Sequence, residues 1–383
     1  MTDADREFLR RAIRLAMNGR GGVEPNPMVG CIIVKNGQVI GQGYHRKVGE
    51  SHAEPIALES CTESPEGATV YVTLEPCCHT NKKTPPCVPR LIAAKLARVV
   101  VGCVDPNPAV SGRGIAQLRE AGIETIDADD PHCRQLIAPF IATMKFHRPY
   151  VTLKWAQSAD GKVAGAGGRQ IAISNAASQK LVHQLRARCD AVMIGIGTAS
   201  NDNPRLTARG VKTARPLIRA VLDSDLRLSV DSHLAQSARD SRVIIYCSKE
   251  AADYSGTRTP LAALGVGIQP VSTQTPGRLD ISQALKHLAG LGVTHLLVEP
   301  GPTLARSFIE QNLADRIWIF HSPKMISAPT APAAIEVSWP PNGQLDVDGD
   351  LLSEHLNPGS PVFFADDRSA DFELAQDSSQ SSG

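Results

Sequence analysis

The chain has 383 residues, which is too long for one ordinary domain and sufficient for two. Its formal net charge is +1 and no block of Lys or Arg stands out, which excludes the electrostatic footprint of a polyanion-binding protein and favours a small-molecule partner over nucleic acid. The odd number of cysteines, nine, and an acidic N-terminus without the apolar core of a signal peptide predict that the protein is located in the reducing cytoplasm. No apolar run approaches the length that spans a bilayer, so association with a membrane is not expected.

The first half of the chain alternates helices with strands. Apolar spacing predicts an opening helix over 6–18, and Asn36-Gly37 predicts a tight turn between the two strands of a hairpin at 29–34 and 39–44. The later elements are predicted as a helix that starts at His52, strands at 68–74, 98–104 and 123–126, and helices at 114–121 and 133–147. Together these elements predict a three-layer α/β unit that ends near residue 148.

Three short runs between these elements are typical of a metal centre. His52-Ala53-Glu54 is followed by Glu75-Pro76-Cys77-Cys78-His79 and then by Thr84-Pro85-Pro86-Cys87. One imidazole and two thiolates supply the ligands of a tetrahedral zinc that keeps an open position for water. The carboxylate of Glu54 is placed to move a proton to and from that water. This is the H-x-E…P-C…C signature of zinc-dependent base deaminases. A structural zinc site closed by Cys78 or His79 is the alternative.

In the second half, strands run into polar loops and helices. Strands are predicted at 151–155, 191–195, 217–222, 243–247 and 295–299, with helices at 176–188 and after Asp280. The half lacks a Gly-x-Gly-x-x-Gly after a strand, so the usual dinucleotide fingerprint is absent, and the glycines at 165–168 are interpreted as a turn. The junction from Glu299 to Gly301-Pro302-Thr303 offers the free N–H groups of a helix start and predicts a phosphate site. An ordinary strand-to-helix turn is the alternative.

Further motifs cover nearly the whole chain. The run Pro25-Asn26-Pro27-Met28-Val29-Gly30-Cys31, the spacing of His45 and Gly49 ahead of His52, and the run Asp105-Pro106-Asn107-Pro108 resemble the bifunctional riboflavin-biosynthesis deaminase/reductase family. The resemblance implies an N-terminal three-layer cytidine-deaminase-like domain at 1–147 and a C-terminal dihydrofolate-reductase-like α/β domain at 148–366. The remaining residues, 367–383, are polar and are expected to be disordered.

The resemblance also implies two reactions and two cofactors, Zn²⁺ and NADPH. A zinc-dependent hydrolysis removes an amino group from 2,5-diamino-6-(5-phosphoribosylamino)pyrimidin-4-one, and NADPH then reduces the ribosyl group to ribityl. Glu54 is the expected proton carrier of the first step, and Asn26 is a candidate hydrogen-bond partner for the pyrimidine or else a turn residue. Lys154 and Asp202 are candidates to assist the second step, without an assigned proton-transfer role.

Site residues carry over from the family position by position. The zinc ligands are His52, Cys77 and Cys87, with Glu54 as the catalytic residue. The residues implied to hold NADPH are Ala156, Ala172, Thr198, Asp202, Ser224, Gly301, Pro302, Thr303, Leu304, Ala305, Arg306 and Ser307. The residues implied to hold the ribosyl phosphate are Gln170, Arg186, Leu206, Arg209 and Glu299. Arginine forks suit a phosphate and a carboxylate suits ribose hydroxyls.

The chain departs from the family pattern at several places. The zinc loop at 80–84 is one residue longer than usual and has no glycine, which leaves open whether Cys77 or Cys78 binds the metal, although Cys77 is expected at a helix start that favours its thiolate. Asn201-Asp202-Asn203-Pro204 and Glu299-Pro300-Gly301-Pro302 also differ, so a deaminase with an impaired reductase is one alternative. A nucleic-acid-editing deaminase is another, but aromatic residues make up only 4% of the chain. A homo-oligomer is compatible with these observations.

Overall fold

The computed structural model of the chain describes residues 1–79, 84–213, 215–275 and 277–364. The chain divides into two compact units, Met1–Phe146 and His147–Gly383. The tail that is expected to be disordered, 367–383, lies outside the described residues, as do residues 80–83 of the zinc loop. None of the helices in the described ranges combines the length and the apolar character needed to cross a membrane.

The first unit is built on one mixed sheet. Its strands are β1 (Gly30–Lys35), β2 (Gln38–Tyr44), β3 (Thr69–Val72), β4 (Arg98–Val101) and β5 (Glu124–Asp127), and its helices are α1 (Asp3–Ala16), α2 (Ala53–Glu59), α3 (Cys87–Ala93), α4 (Arg113–Glu120), α5 (Pro131–Leu136) and α6 (Ala138–Phe146). The strand order is β2-β1-β3-β4-β5, in which β1 pairs antiparallel with both neighbours and β3, β4 and β5 run parallel. Asn36 and Gly37 both have positive φ, as a two-residue hairpin turn requires.

Helices cover both faces of this sheet. α1 packs so closely on β1 that a Cβ on Gly30 would lie 2.0 Å from the carbonyl oxygen of Ala12. On the opposite face, Ala57, Leu91 and Leu118 of α2, α3 and α4 form one buried core with alternate side chains of the strands. The expected three-layer architecture is therefore confirmed.

The single helix expected over 133–147 is wrong. The structure has α5 and α6 instead, with Ile137 between them at the C-terminus of α5. Pro139 lies in the first turn of α6, where its missing N–H costs nothing, whereas inside a continuous helix it would remove a hydrogen bond. The break therefore follows from the proline.

The second unit is built on a nine-stranded sheet. The strands of this unit, of which β11 and β12 lie outside the nine-stranded sheet, are β6 (Tyr150–Gln157), β7 (Ala191–Gly195), β8 (Ile218–Leu222), β9 (Val243–Cys247), β10 (Gly267–Pro270), β11 (Thr273–Thr275), β12 (Arg278–Leu279), β13 (His295–Val298), β14 (Arg316–His321), β15 (Gly343–Val347) and β16 (Asp350–Leu356). Its helices are α7 (Ala176–Arg188), α8 (Ile196–Asp202), α9 (His233–Gln236), α10 (Lys249–Asp253), α11 (Ser255–Ala263), α12 (Ile281–Gly290) and α13 (Pro302–Glu310).

The order of the large sheet is β10-β9-β8-β7-β13-β6-β14-β16-β15, and β11 pairs with β12 in a separate ribbon. The first seven strands in this order, β10 through β14, all run parallel, and β16 and β15 add an antiparallel edge. Two apolar cores cover the two faces of the sheet, one containing Trp318 and the other Phe308. The carboxyl ends of β6, β7, β8 and β13 therefore meet at one edge of a buried sheet, where ligands of open α/β sheets bind.

Candidate active sites

Three candidate zinc ligands converge in the first unit. His52 is the N-cap residue of α2, Cys87 is the first residue of α3, and Cys77 lies in the loop after β3. The Nδ1 atom of His52 lies 3.5 Å from the Sγ atom of each cysteine, and the three ligand atoms are all within 4.8 Å of one another. A tetrahedral zinc with Zn–S of about 2.3 Å and Zn–N of about 2.0 Å separates its N and S ligands by about 3.5 Å. The donor set and its spacing therefore fit zinc.

The loop around Cys77 differs from expectation. Cys77 was expected at a helix start, but it lies in an irregular loop, and the helix begins at Cys87 instead. The N–H groups of Cys87 and Val88 donate to the carbonyl oxygen of Cys77 at 3.0 and 3.2 Å. The start of α3 thus fixes the backbone of one cysteine and carries the side chain of the other.

Cys78 lies apart from the three converging residues. It packs against the apolar core of the first unit, and burial raises the pKa of its thiol, as does the nearby carboxylate of Glu75. A raised pKa disfavours the thiolate that a metal needs. Among the described residues, the three that could together hold a metal include Cys77 and not Cys78.

Glu54 lies beside these ligands at the wall of a cavity of about 470 Å³. Its side chain is buried, its Oε2 atom has no hydrogen-bond partner among the described residues, and burial raises the pKa of the carboxyl group, with the neighbouring Cys77 acting in the same direction. A buried carboxylate oxygen without a partner is costly unless a ligand or water supplies one. The position of Glu54 therefore fits a group that exchanges protons with a bound molecule.

The other ring nitrogen of His52 is also engaged. Its Nε2 atom lies 3.2 Å from the hydroxyl of Thr84, and its ring meets the ring of His45 edge-on at 5.4 Å. Partners of this kind orient a metal-binding imidazole and fix its tautomer.

His45 sets the orientation of Asn26 in the same cavity. The Nδ1 atom of His45 donates to the carbonyl oxygen of Ser51 at 3.0 Å, because a carbonyl can only accept. Burial lowers the pKa of His45, so its Nε2 atom is an acceptor and takes a hydrogen bond from Nδ2 of Asn26 at 3.2 Å. The Oδ1 atom of Asn26 is then the part of the amide that remains to accept from a ligand. The sequence motif contained His45 but did not predict this contact.

Glu75 joins two loops of the cavity and was also not predicted. Its buried carboxylate accepts from four backbone N–H groups at 2.8–3.3 Å, which belong to Asp105, Gly112, Gly114 and Ile115. The loop between these residues contributes Asp105 and Asn107 to the cavity wall. One carboxylate thus ties the loop that carries Cys77 to the loop that starts α4.

A larger cavity of about 1000 Å³ lies at the carboxyl ends of the central strands in the second unit. Most residues that the family resemblance implied line it, namely Ala156, Gln170, Ala172, Arg186, Thr198, Asp202, Arg209, Ser224, Glu299, Gly301, Pro302, Thr303, Leu304 and Ser307. Three others lie outside its lining: Leu206 is buried in one apolar core, Ala305 is buried on α13, and Arg306 is exposed on the same helix. Helical periodicity turns residues 305 and 306 away from the face that carries 303, 304 and 307.

An ion pair occupies one wall of this cavity. The Nε and Nη2 atoms of Arg186 donate to the two carboxylate oxygens of Glu299 at 2.6 and 2.7 Å. Burial alone would raise the pKa of Glu299, but the charge and hydrogen bonds of Arg186 outweigh it and lower that pKa. Beside them, burial lowers the pKa of Lys154, which the Glu299 carboxylate opposes, and burial raises the pKa of Asp202.

The start of α13 forms another part of the cavity. Gly301 is its N-cap residue and Pro302 its first residue, and none of the described side chains caps the N–H groups of the first turn. A Cβ on Gly301 would meet only the hydroxyl of Thr198, at 3.8 Å. Uncapped N–H groups at the positive end of a helix, next to a residue without a side chain, fit a phosphate group.

Three further residues with cationic or imidazole side chains line the cavity and were not predicted: His183, Arg227 and Arg278. Arg227 lies three residues after Ser224, which the family resemblance implied, in the loop that follows β8. His183 lies one helical turn before Arg186, and periodicity could have placed it on the same face.

Comparison with known proteins extends these observations. Residues 149–339 match the family model described as the RibD C-terminal domain, and residues 2–103 match the cytidine and deoxycytidylate deaminase zinc-binding region. The riboflavin biosynthesis protein RibD of Actinobacillus pleuropneumoniae is 38% identical over 88% of this chain and 87% of that protein. The protein of the same name from Aquifex aeolicus is 37% identical over 85% and 88%.

Two solved structures are similar over most of both chains. RibD of Acinetobacter baumannii superposes with a TM-score of 0.77 at 32% identity, covering 92% of this chain and 98% of that one. A diaminohydroxyphosphoribosylaminopyrimidine deaminase/5-amino-6-(5-phosphoribosylamino)uracil reductase from Thermotoga maritima has the same TM-score and coverage at 33% identity. The chain therefore belongs to the RibD family of riboflavin biosynthesis proteins.

Proposed function

We propose that this chain carries out two consecutive steps of riboflavin biosynthesis, one in each unit. The first is the hydrolytic deamination of 2,5-diamino-6-(5-phosphoribosylamino)pyrimidin-4-one, and the second is the reduction of the ribosyl group to ribityl by NADPH. The observation that carries the proposal is the convergence of His52, Cys77 and Cys87 beside the buried carboxylate of Glu54, whose Oε2 atom has no hydrogen-bond partner among the described residues. Family membership links this site to the second cavity on the same chain.

In the first step, His52, Cys77 and Cys87 hold zinc, which when bound supplies the Lewis acidity that makes water a nucleophile near neutral pH. Glu54 accepts a proton from the attacking water and delivers a proton to the amino group that leaves as ammonia. The net change replaces that amino group by oxygen from water. The Oδ1 atom of Asn26, oriented by His45, accepts a hydrogen bond from an N–H group of the pyrimidine.

In the second step, NADPH when bound would supply the hydride that C1 of the ribosyl group gains, while the ring oxygen of the sugar gains a proton as the ring opens. The carboxylate of Glu299 accepts from ribose hydroxyls while its pair with Arg186 keeps it charged. Arg209 faces the phosphate of the substrate, and the start of α13 at Gly301 holds the pyrophosphate. Ser224, in the loop after β8, and Thr198, in the helix α8 that follows β7, would contact the remainder of the dinucleotide.

The composition and the cysteines support two further parts of the proposal, the kind of substrate and the cellular compartment. The net charge of +1 supports a small-molecule substrate without a nucleic-acid partner. The cysteines are free thiols, mostly buried, which supports a reducing compartment such as the cytoplasm.

The proposal is tested with purified protein and the diaminopyrimidinone ribosyl phosphate, with and without NADPH, followed by mass analysis of the products. Glu54→Gln is expected to retain zinc and to lose about a hundredfold to ten-thousandfold in deamination, since general acid/base groups contribute on that order. Glu59→Gln is the matched control, because Glu59 lies on the same helix and is 68% exposed at its side chain. A Glu54→Gln protein that deaminates as fast as the control would contradict the assigned role.

The second unit is tested separately. The Glu54→Gln protein is expected to oxidise NADPH when given the deaminated aminouracil ribosyl phosphate, because that reaction uses residues of the second unit alone. Asp202→Ala is expected to leave deamination unchanged and to slow NADPH consumption. A wild-type protein that deaminates but never consumes NADPH would show instead that the second unit has lost its activity.

A further inference from the structure

A long loop between β6 and α7 forms much of one wall of the second cavity. Its residues 163–174, which we call the cavity loop, include Gln170 and Ala172, implied by the family resemblance to hold the ribosyl phosphate and NADPH. The cavity loop contains no strand and no α-helix, and its one regular element is the short 3₁₀ turn Ala166–Gly168. Its conformation therefore depends on contacts with other segments of the unit.

A second segment, residues 322–335 after β14, lies along the start of the cavity loop, and we call it the strap. Backbone hydrogen bonds of 2.8–3.3 Å join the two segments, from the N–H groups of Ala159, Val163, Gly167 and Ala334 to the carbonyl oxygens of Lys324, Pro332, Thr330 and Gly161, in that order. Pro332 is the strap residue that lines the cavity. The strap therefore holds the cavity loop while contributing little to the cavity wall itself.

Asp160 fastens the strap to the residues that lead into the cavity loop. Its Oδ1 atom accepts from the N–H group of Ile326 and its Oδ2 atom from that of Ser327, each at 3.0 Å. The hydroxyl of Ser158 also donates to Oδ1 at 2.7 Å, and these hydrogen bonds lower the pKa of Asp160 to about 2. The carboxylate is therefore charged at neutral pH, with one oxygen for each of two consecutive N–H groups of the strap.

Lys324 fastens the strap to the far part of the cavity loop. Its Nζ atom donates to the carbonyl oxygen of Ala172 at 3.1 Å. The loop ends at Asn175, the N-cap residue of α7, whose N–H group donates to the carboxylate of Asp350 at 2.8 Å. The cavity loop is thus held at its start, near residue 172 and at its end. The side chains of Asp160 and Lys324 themselves are not among those that line the cavity.

A loop that is ordered before its ligands arrive loses less conformational entropy when they bind. We propose that Asp160 and Lys324 are positioning residues of the second reaction, which keep residues 163–174 in the conformation that binds the aminouracil ribosyl phosphate and NADPH. Lys154 lies on β6 and Glu299 directly after β13, so release of the cavity loop would weaken binding without moving these groups. This inference rests on the proposed function of the second unit.

The first test needs no ligand and follows the exchange of backbone amide hydrogens for deuterium in the full-length protein. Asp160→Ala is expected to exchange faster than the wild type in peptides from 163–174 and 322–335, and at the wild-type rate in the first unit. Asp160→Asn, which keeps one acceptor oxygen, should fall between the two. Asp231→Ala is the control, because Asp231 is exposed and is not among the residues that line the cavity. Equal exchange of the cavity loop in Asp160→Ala and the control would overturn the inference.

The second test is steady-state reduction of the aminouracil ribosyl phosphate by NADPH. Asp160→Ala is expected to raise KM for both ligands about 10-fold, as when the released loop occupies its binding conformation about a tenth of the time, and to leave kcat close to wild type. Lys324→Ala should raise both KM values by a smaller factor, because its hydrogen bond is exposed to solvent, and Lys324→Arg should restore them. Lys286→Ala, which removes an exposed lysine of α12, is the matched control.

A role in stability alone would reduce the amount of active protein, and so lower kcat while KM stays the same. That pattern in Asp160→Ala, or a rise in KM no larger than in the control, would overturn the inference. A wild-type protein that shows protected amides in the cavity loop but never oxidises NADPH would instead contradict the proposed reductase function.

Discussion

The carboxylate of Glu75 offers a sharp test of how the first unit holds its active-site loops. Its Oε2 atom accepts from Asp105 and Gly112, and its Oε1 atom accepts from Gly114 and Ile115. Glu75→Gln keeps one oxygen and turns an NH₂ group toward the other two N–H donors. Two hydrogen bonds to a charged group are lost, each contributing about 1.5–3 kcal/mol, so we expect the free energy of unfolding of this unit to fall by about 3–6 kcal/mol.

The assay is scanning calorimetry of the full-length protein, following the transition that zinc removal shifts. A loss of this size should lower that transition on the order of 10 °C for a unit of this length. Because the loop with Asp105 and Asn107 lines the cavity, KM for the pyrimidine substrate should rise in Glu75→Gln at temperatures where the protein is still folded.

Glu66→Gln is the control, because Glu66 is exposed and pairs with Lys95 at 3.6 Å, a surface ion pair of small effect. The reasoning is refuted if the Glu75→Gln transition moves no further than that of the control. An unchanged KM alongside a large loss of stability would show that Glu75 supports the fold without positioning the loop.

Three further predictions concern the same unit. Cys77→Ser should lose most bound zinc and Cys78→Ser should keep it, as zinc content measured after gel filtration will show; equal losses would indicate a rearranged site. Gly114→Ala should strongly lower the melting temperature of the unit, because the new Cβ would lie 2.2 Å from the backbone carbonyl oxygen of Pro76. The hydrogen bonds of Arg98 hold the pKa of Asp5 well below its usual range, so this carboxylate stabilises the fold above about pH 4 and loses its effect as the pH falls further. The difference in melting temperature between wild type and Asp5→Asn should therefore shrink from pH 7 to pH 3, and a constant difference would contradict it.

The sequence predicted the elements whose signal is local. Ala176–Arg188 and Ala191–Gly195 have the expected bounds, and the hairpin around Asn36 and Gly37 has the expected turn. These segments are defined by spacing, caps and turn residues that lie within a few positions of one another.

Contacts between distant segments could not be predicted in this way. The bonds from Glu75 to the N–H groups of residues 105–115 depend on two loops that meet only in the folded sheet. The same holds for the contact of His45 with Asn26. Position-by-position transfer from the family also could not tell that Arg306 faces away from the cavity, since the face a helical residue presents depends on how the helix packs.

The position of β13 has a consequence for how the second unit is made. β6 begins this unit, yet both of its neighbours in the sheet, β13 and β14, are synthesised much later, and Tyr150 pairs with His295. During synthesis β7, β8, β9 and β10 can assemble first, while β6 and the open side of β7 wait with unpaired N–H and C=O groups. Insertion of β13 then closes the sheet and at the same moment delivers Glu299 to Arg186. A ribosome-bound chain that stops short of β13 would expose unpaired edges of β6 and β7. This unit therefore depends on late, long-range strand pairing and is vulnerable to aggregation until β13 has been added.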